Sequence, residues 1–182
     1  MIKIVLLSAF LITSHGLSAL EINQPLPMSS VNDKGELLIN REHVIRYRPW
    51  DVSALSDDKA NLILHMAGRS SANKLIQPFT DRLTAENIAS DKLHSTTIIN
   101  LDDTLWGTRH LVTSKIKHNK IKHPKTTFVL DNNGKIRSQW GLKKESAAII
   151  VLSASGEVVY LKQGRLLDED IDQALAVIKQ QL

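Results

Sequence analysis

Read from its alternation of apolar and polar positions, the chain lays out a mixed succession of strands and helices. Asn61 to Met66 (Asn-Leu-Ile-Leu-His-Met) is a short apolar run between polar flanks, the pattern of a buried strand. Leu75, Ile76, Phe79 and Leu83 then recur at helical spacing, with Ser70 or Ser71 placed to cap the start. Pro78 falls inside that helix and predicts a kink, because it lacks an N–H and clashes with the preceding turn. A second buried strand runs from Thr96 to Leu101 and ends at Asp102-Asp103. Leu105, Val112 and Ile116 mark one face of a further helix that stops before Pro124.

Thr126 to Leu130 reads as a strand followed by the turn Asp131-Asn132-Asn133-Gly134. Ala148–Leu152 and Val158–Leu161, joined by Ser153 to Gly156, read as an antiparallel hairpin. The last helix starts near Asp168-Glu169-Asp170, whose charges suit the positive end of its dipole, and carries Ile171, Leu175, Ile178 and Leu182 as its stripe. Ahead of all this, Asp33-Lys34-Gly35 is a turn signal before Glu36–Ile39, and Val44–Tyr47 alternates as a strand before Pro49. The order predicts an α/β fold: a mixed sheet with helices on both faces and a C-terminal hairpin plus helix.

The first residues follow a different logic. Lys3 precedes an apolar stretch, Ile4 to Ile12, broken only by Ser8, and small residues ending Gly16-Leu17-Ser18-Ala19 come next. This is the three-part pattern of a secretory signal peptide, so residues 1–19 are expected to be cleaved and residues 20–182 to form one domain. The apolar part is short for a span of ~30 Å of hydrocarbon, so no stable membrane anchor is expected after cleavage. Cleavage after Ser18 competes with cleavage after Ala19.

Composition removes whole classes of chemistry. The chain has 182 residues and no cysteine, which excludes disulfides, Cys-ligated metals and thiol nucleophiles. Lys and Arg number 23 against 19 Asp and Glu, a formal charge of +4. Residues 104–130 contain no acid but hold Arg109 and Lys115, Lys117, Lys120, Lys122 and Lys125. Such a segment attracts anionic partners, although a solvated face explains it as well. Export and an aromatic content of 4% argue against nucleic acid. His110, His118 and His123 lack the i,i+4 spacing that places two ligands on one helix face, so no metal is expected.

Asn61 to Pro78 (NLILHMAGRSSANKLIQP) resembles the strand–active-site–helix unit of thioredoxins. In that register Ser70 and Asn73 stand for the attacking and resolving cysteines, Leu64 for a buried acid, and Ser146 for the cis-proline. A cis bond before a non-proline costs ~3 kcal/mol, so a trans bond is expected before Ser146. A resemblance covering nearly the whole chain after residue 19 is to the YtfJ family. It rests on His65–Ala72, Thr96–Asp103, Phe128–Asp131 and Glu145–Leu152. The resemblance implies a thioredoxin-like fold and a periplasmic home, and it implies no activity or cofactor.

The candidate site is therefore an edge, not a motif. Arg69, Ser70, Ser71 and Asn73 follow one strand, Asp102 and Asp103 follow another, and Ser146 joins them in the thioredoxin register. Strand ends and helix starts of open α/β sheets gather ligands. Arg69 with the helix start could hold a small anion, or Arg69 could pair with Asp102 or Asp103. Gly68-Arg69-Ser70-Ser71-Ala72 also approximates a G-x-S-x-G elbow, with Ala72 for the last glycine, which makes a Ser70-dependent hydrolase the rival reading. Helix capping is the simpler role for these serines. The expected function is a binding or interaction module without dithiol chemistry, its partner an envelope protein or a small anion. A non-catalytic accessory of envelope redox proteins is the third reading.

Overall fold

The computed structural model describes residues 19–55 and 58–182, so most of the expected signal peptide lies outside the described residues. Seven strands form one mixed sheet: β1 (Ser30–Ile39), β2 (Ile45–Asp51), β3 (Ala60–Ala67), β4 (Leu93–Asn100), β5 (Thr127–Asp131), β6 (Ala147–Leu152) and β7 (Val158–Gln163). Their order across the sheet is β2-β1-β5-β4-β3-β6-β7. The centre is parallel, β5-β4-β3, linked through helices α1 (Ser70–Ala85) and α2 (Arg109–Lys122). Antiparallel hairpins close both sides: β6-β7 beside β3, and β1-β2 beside β5. A short helix, α3 (Lys135–Gln139), precedes β6, and α4 (Asp168–Gln180) ends the fold.

Side-chain alternation divides the core. Leu62, Leu64, Ile149 and Val151 face Ala72, Ile76 and Phe79 of α1 and Ile171, Leu175 and Ile178 of α4. Ile99, Leu130 and Phe128 meet Ile116 of α2, and Met66 joins these two clusters. Ile63, Ile98, Val129 and Ile150 point the other way, toward Ile136 of α3, Trp140, Trp50, Leu20 and Leu26. Helices thus cover both faces, as expected from the sequence.

Five local readings change. The turn signal at Lys34-Gly35 is a bulge within β1, not a turn: both residues have positive φ, and the pairing with β2 shifts between Val31 and Glu36. A Cβ on Gly35 would sit 2.3 Å from the Arg48 carbonyl oxygen, so the bulge requires glycine. Strand β2 continues through Pro49, tolerated because β2 is the sheet's edge. Leu105 lies before α2 and is exposed rather than on its buried face. The turn after β5 leads into α3, held by Asp131, whose carboxylate accepts from the Lys135 and Ile136 N–H groups at 3.0 and 2.8 Å. Leu182 is also largely exposed, leaving Ile171, Leu175 and Ile178 as the α4 stripe.

Candidate functional site

The carboxyl ends of β3 and β4 and the start of β6 converge, and the expected residues meet there. The Ala67 N–H donates to the Ser146 carbonyl and the Gly68 N–H to the Asn100 carbonyl, both at 2.8 Å. Gly68 is needed for this approach. A Cβ there would lie 2.6 Å from Thr104 Cγ2 and 3.1 Å from the Asn100 carbonyl oxygen. Cis peptide bonds are absent among the described residues, the bond before Ser146 included.

The chain leaves β3 extended through Arg69, so Arg69 and not a serine occupies the cap position of α1, and no side chain caps the helix. Ser70 and Ser71 fall in the first turn, both exposed, which corrects the capping role assigned to them. The physical reason is geometric: a cap residue needs extended backbone, and the serines are already helical. Free backbone donors of this turn therefore face the edge.

Arg69 is fixed by two contacts. Its Nε donates to the Asp103 backbone carbonyl at 2.8 Å, and its Nη1 pairs with Glu145 Oε2 at 2.8 Å. The Arg69 side chain is 14% exposed, whereas that of Glu145 is 63% exposed. The expected pairing with an aspartate carboxylate is thus replaced by a carbonyl and a glutamate. Asp103 itself is buried and spends Oδ2 on Asn100 Nδ2 at 2.9 Å and on the Glu145 N–H at 3.0 Å. Glu145 adopts a left-handed backbone, φ 56°, in doing so. Asp102 points to solvent, its N–H held by Asn100 Oδ1 at 2.9 Å. Asn100 and Glu145 escaped prediction because their roles come from strand pairing across the sheet, not from local pattern.

Beside this network lies a cleft of about 240 Å³ between α1 and α2. Arg69, Ser70 and Asn73 stand along it, but Met66, Ile99, Leu111, Val112, Ile116 and Phe128 make its walls largely apolar. Lys115 and Asn119 of α2 add polar groups. Ser71, Asp102, Asp103 and Ser146 are not among its lining residues. No histidine lines it with Ser70. No group of three or more His, Asp or Glu able to hold a metal comes together among the described residues.

Behind the edge, His65 is buried on the opposite face of β3 from the cleft's Met66. Burial lowers its pKa to about 4, with the Asp103 carboxylate opposing and Arg137 reinforcing the shift. Nε2 has no hydrogen-bond partner. His65 is thus a neutral core residue and not a base for Ser70.

The basic segment is not uniformly solvated. Lys120 turns inward and donates to the Pro124 and Thr126 carbonyls at 3.0 and 2.8 Å, which fastens α2 to β5. Arg109 reaches Asn132 Oδ1 and the Leu101 carbonyl.

A central parallel unit followed by a hairpin and helix, in a chain that has no cysteine, defines a thioredoxin-like protein without thiol chemistry of its own. Similar folds are found in a Chromobacterium violaceum thiol peroxidase (12% identity, TM-score 0.57, covering 90% of this chain and 88% of that one). The C-terminal domain of a protein assigned as a thiol-disulfide oxidoreductase from Bacteroides thetaiotaomicron is also similar (17% identity, TM-score 0.59, 89% and 98% covered). Such identities speak for the fold alone. The chain belongs to the family described as "Bacterial protein of unknown function (YtfJ_HI0045)", whose model matches residues 20–181. Its relatives include an uncharacterized protein of Haemophilus influenzae, 33% identical over 159 residues (87% of this chain, 85% of the relative). Another is the uncharacterized protein YtfJ of Escherichia coli K12, 31% identical over 162 residues (89% and 87%).

Proposed function

We propose that this protein is exported to the periplasm and works as a binding module, using the cleft between α1 and α2 to hold a small amphipathic anion. The cleft carries the reading: apolar walls stand beside Arg69 at the edge where thioredoxin-like proteins keep their thiols. The Arg69 Nε bond to a buried carbonyl keeps the guanidinium in place. Glu145 is a solvent-exposed partner, and such pairs are worth only ~0–1 kcal/mol, so an incoming carboxylate can take its place. At ~30 Å³ per water-sized group the cleft admits about eight heavy atoms. That is below the ~300–1,000 Å³ of sites for drug-sized ligands, and favours a short alkyl or aryl body.

Octanoate, with its eight carbons in the cleft and its two carboxylate oxygens at the rim beside Arg69, is a suitable probe. Thermal unfolding should shift upward with octanoate and not with acetate. Val112→Trp, which fills the cleft, should abolish the shift, and Arg69→Gln should reduce it. Equal responses to octanoate and acetate, or an undiminished shift in Val112→Trp, would reject the cleft as the site. Export is tested separately: mass spectrometry of fractionated cells should find a mature N-terminus at residue 19 or 20 in the periplasm. A full-length protein in the cytoplasm would overturn it.

A further inference from the structure

The loop entering α2 presents a surface that the cleft does not explain. Trp106 is fully exposed and its neighbour Leu105 is 56% exposed; Leu111, in the first turn of α2 at the rim of the cleft, is 59% exposed. The other two tryptophans, Trp50 and Trp140, are buried. A fully exposed indole next to an exposed leucine, with a third exposed apolar side chain one turn into the following helix, is more than a single scattered surface residue. Gly107, with φ 76° and open space around its missing Cβ, turns the chain sharply behind Trp106.

Positive charge surrounds this tip. Leu111, Lys115, His118 and Lys122 follow one another at helical spacing along the outward side of α2, and all four are exposed. The ion pairs among the described residues involve no cation of residues 104–130. Where these cations do have partners, the partners are neutral: Arg109 meets Asn132 and a carbonyl, Lys117 lies 5.9 Å from the centre of the Tyr47 ring, and Lys125 meets Ser90. Only Lys120, on which Glu36 acts, and Arg109, whose partner Asn132 also bonds Asp33, have a carboxylate near them in these contacts. On one flank of the helix, Lys34, Arg109 and Lys117 line a shallow depression of about 620 Å³.

We propose that this side of the molecule docks reversibly on an anionic phospholipid surface, with Leu105 and Trp106 entering the interface and α2 lying flat above it. The combination is the chemistry of interfacial binding: an indole with an apolar body and a polar N–H, an adjoining leucine, and lysines that reach headgroups through long stems. The fourteen residues of α2 extend the charge over ~21 Å, which suits a plane of lipid phosphates better than a single compact ligand. No helix among the described residues is long and apolar enough to cross a membrane, so the contact is peripheral. It shares Leu111 and Lys115 with the rim of the cleft but uses neither Arg69 nor Ser70, and Leu105, Trp106 and Lys122 lie outside the cleft lining.

Vesicle sedimentation tests it, with the full chain as recovered from expressing cells. The vesicles are equal parts phosphatidylglycerol and phosphatidylcholine, or phosphatidylcholine alone. Binding to the anionic vesicles should exceed binding to neutral ones, weaken as salt is raised, and blue-shift the tryptophan emission, a change that Trp106 alone is placed to report. Trp106→Ala and the pair Lys115→Glu with Lys122→Glu should each cut anionic-vesicle binding by about tenfold or more, with unchanged circular dichroism. An apolar N-terminal segment, if retained, carries Lys3 and favours the anionic vesicles by itself, but it contributes alike to every variant, so the comparison of variants with wild type carries the test. No preference for the anionic vesicles would overturn the proposal, as would Trp106→Ala binding as wild type. Salt-sensitive binding without a blue shift would also reject it, and would reassign the surface to electrostatic capture of an acidic protein.

Discussion

His65 shows what a single side chain contributes at this edge. It sits in the sheet where neighbouring strands supply Ala148 and Ile98, so its ring is desolvated and kept neutral. Its pKa falls from 6.5 to about 4, and the two charges that face it, Asp103 and Arg137, pull in opposite directions. The unfolded chain binds a proton near pH 6.5 that the folded chain refuses until about pH 4, so stability is complete above pH 6.5 and falls on acidification between those values. Two and a half pKa units correspond to roughly 3 kcal/mol. Denaturant unfolding of wild type and His65→Gln, each followed from pH 7 to pH 4, should show their stability difference changing by about that amount, always against wild type as the pH falls. Parallel curves would mean that the imidazole is not held neutral. The sequence places His65 on a buried strand, but its neighbours come from β4, β6 and the loop after β4, and no local pattern reveals them.

At the scale of elements, the first turn of α1 is the piece whose placement the sequence disclosed best. The apolar run of β3, the glycine at its end and the helical spacing of Ile76 and Phe79 fix strand, corner and helix from local chemistry alone. Ser70 and Asn73 then lie three residues apart in the first turn of that helix. Ser70→Cys with Asn73→Cys should form an intrahelical bridge under mild oxidant, read as the loss of two thiols by titration, while either single variant should not. Failure to bridge in a folded protein would show that this turn lacks the thioredoxin geometry. The serine cap was misread because side-chain type was legible while backbone conformation was not: both serines are already helical, and Arg69 holds the extended position. The bulge in β1 was misread for the same reason, since Asp-Lys-Gly signals a positive φ without saying whether the chain reverses there. The cleft was invisible, because its walls come from β3, β4, β5, α1 and α2 at once.

The whole molecule depends on a segment with no regular structure, residues 20–27. Leu20 and Leu26 are buried against Trp140, Val158 and Leu152, on the sheet face that has only the short α3 for a helix. The backbone ties this segment to the C-terminal half: the Leu20 N–H donates to the Trp140 carbonyl, Asn23 and Gln24 exchange bonds with Val158, and the Trp140 indole donates to the Pro27 carbonyl at 3.1 Å. Residues 20–27 thus close one core with residues 140–158, while the prolines of Asn23-Gln24-Pro25-Leu26-Pro27 signal no more than an extended segment. Processing at residue 18 or 19 would spare every one of these contacts, whereas trimming to residue 28 would remove them together. Burying a leucine is worth ~1.5–3 kcal/mol, so losing both costs about 3–6 kcal/mol before the indole's unpaired donor is counted. That is a large share of the ~5–15 kcal/mol that holds a domain folded. A chain beginning at residue 28 should therefore unfold at much lower denaturant than one beginning at residue 20, with Trp140 emission shifted red before unfolding begins. Matching midpoints for the two chains would mean that the β3–β6 core carries the fold without this segment.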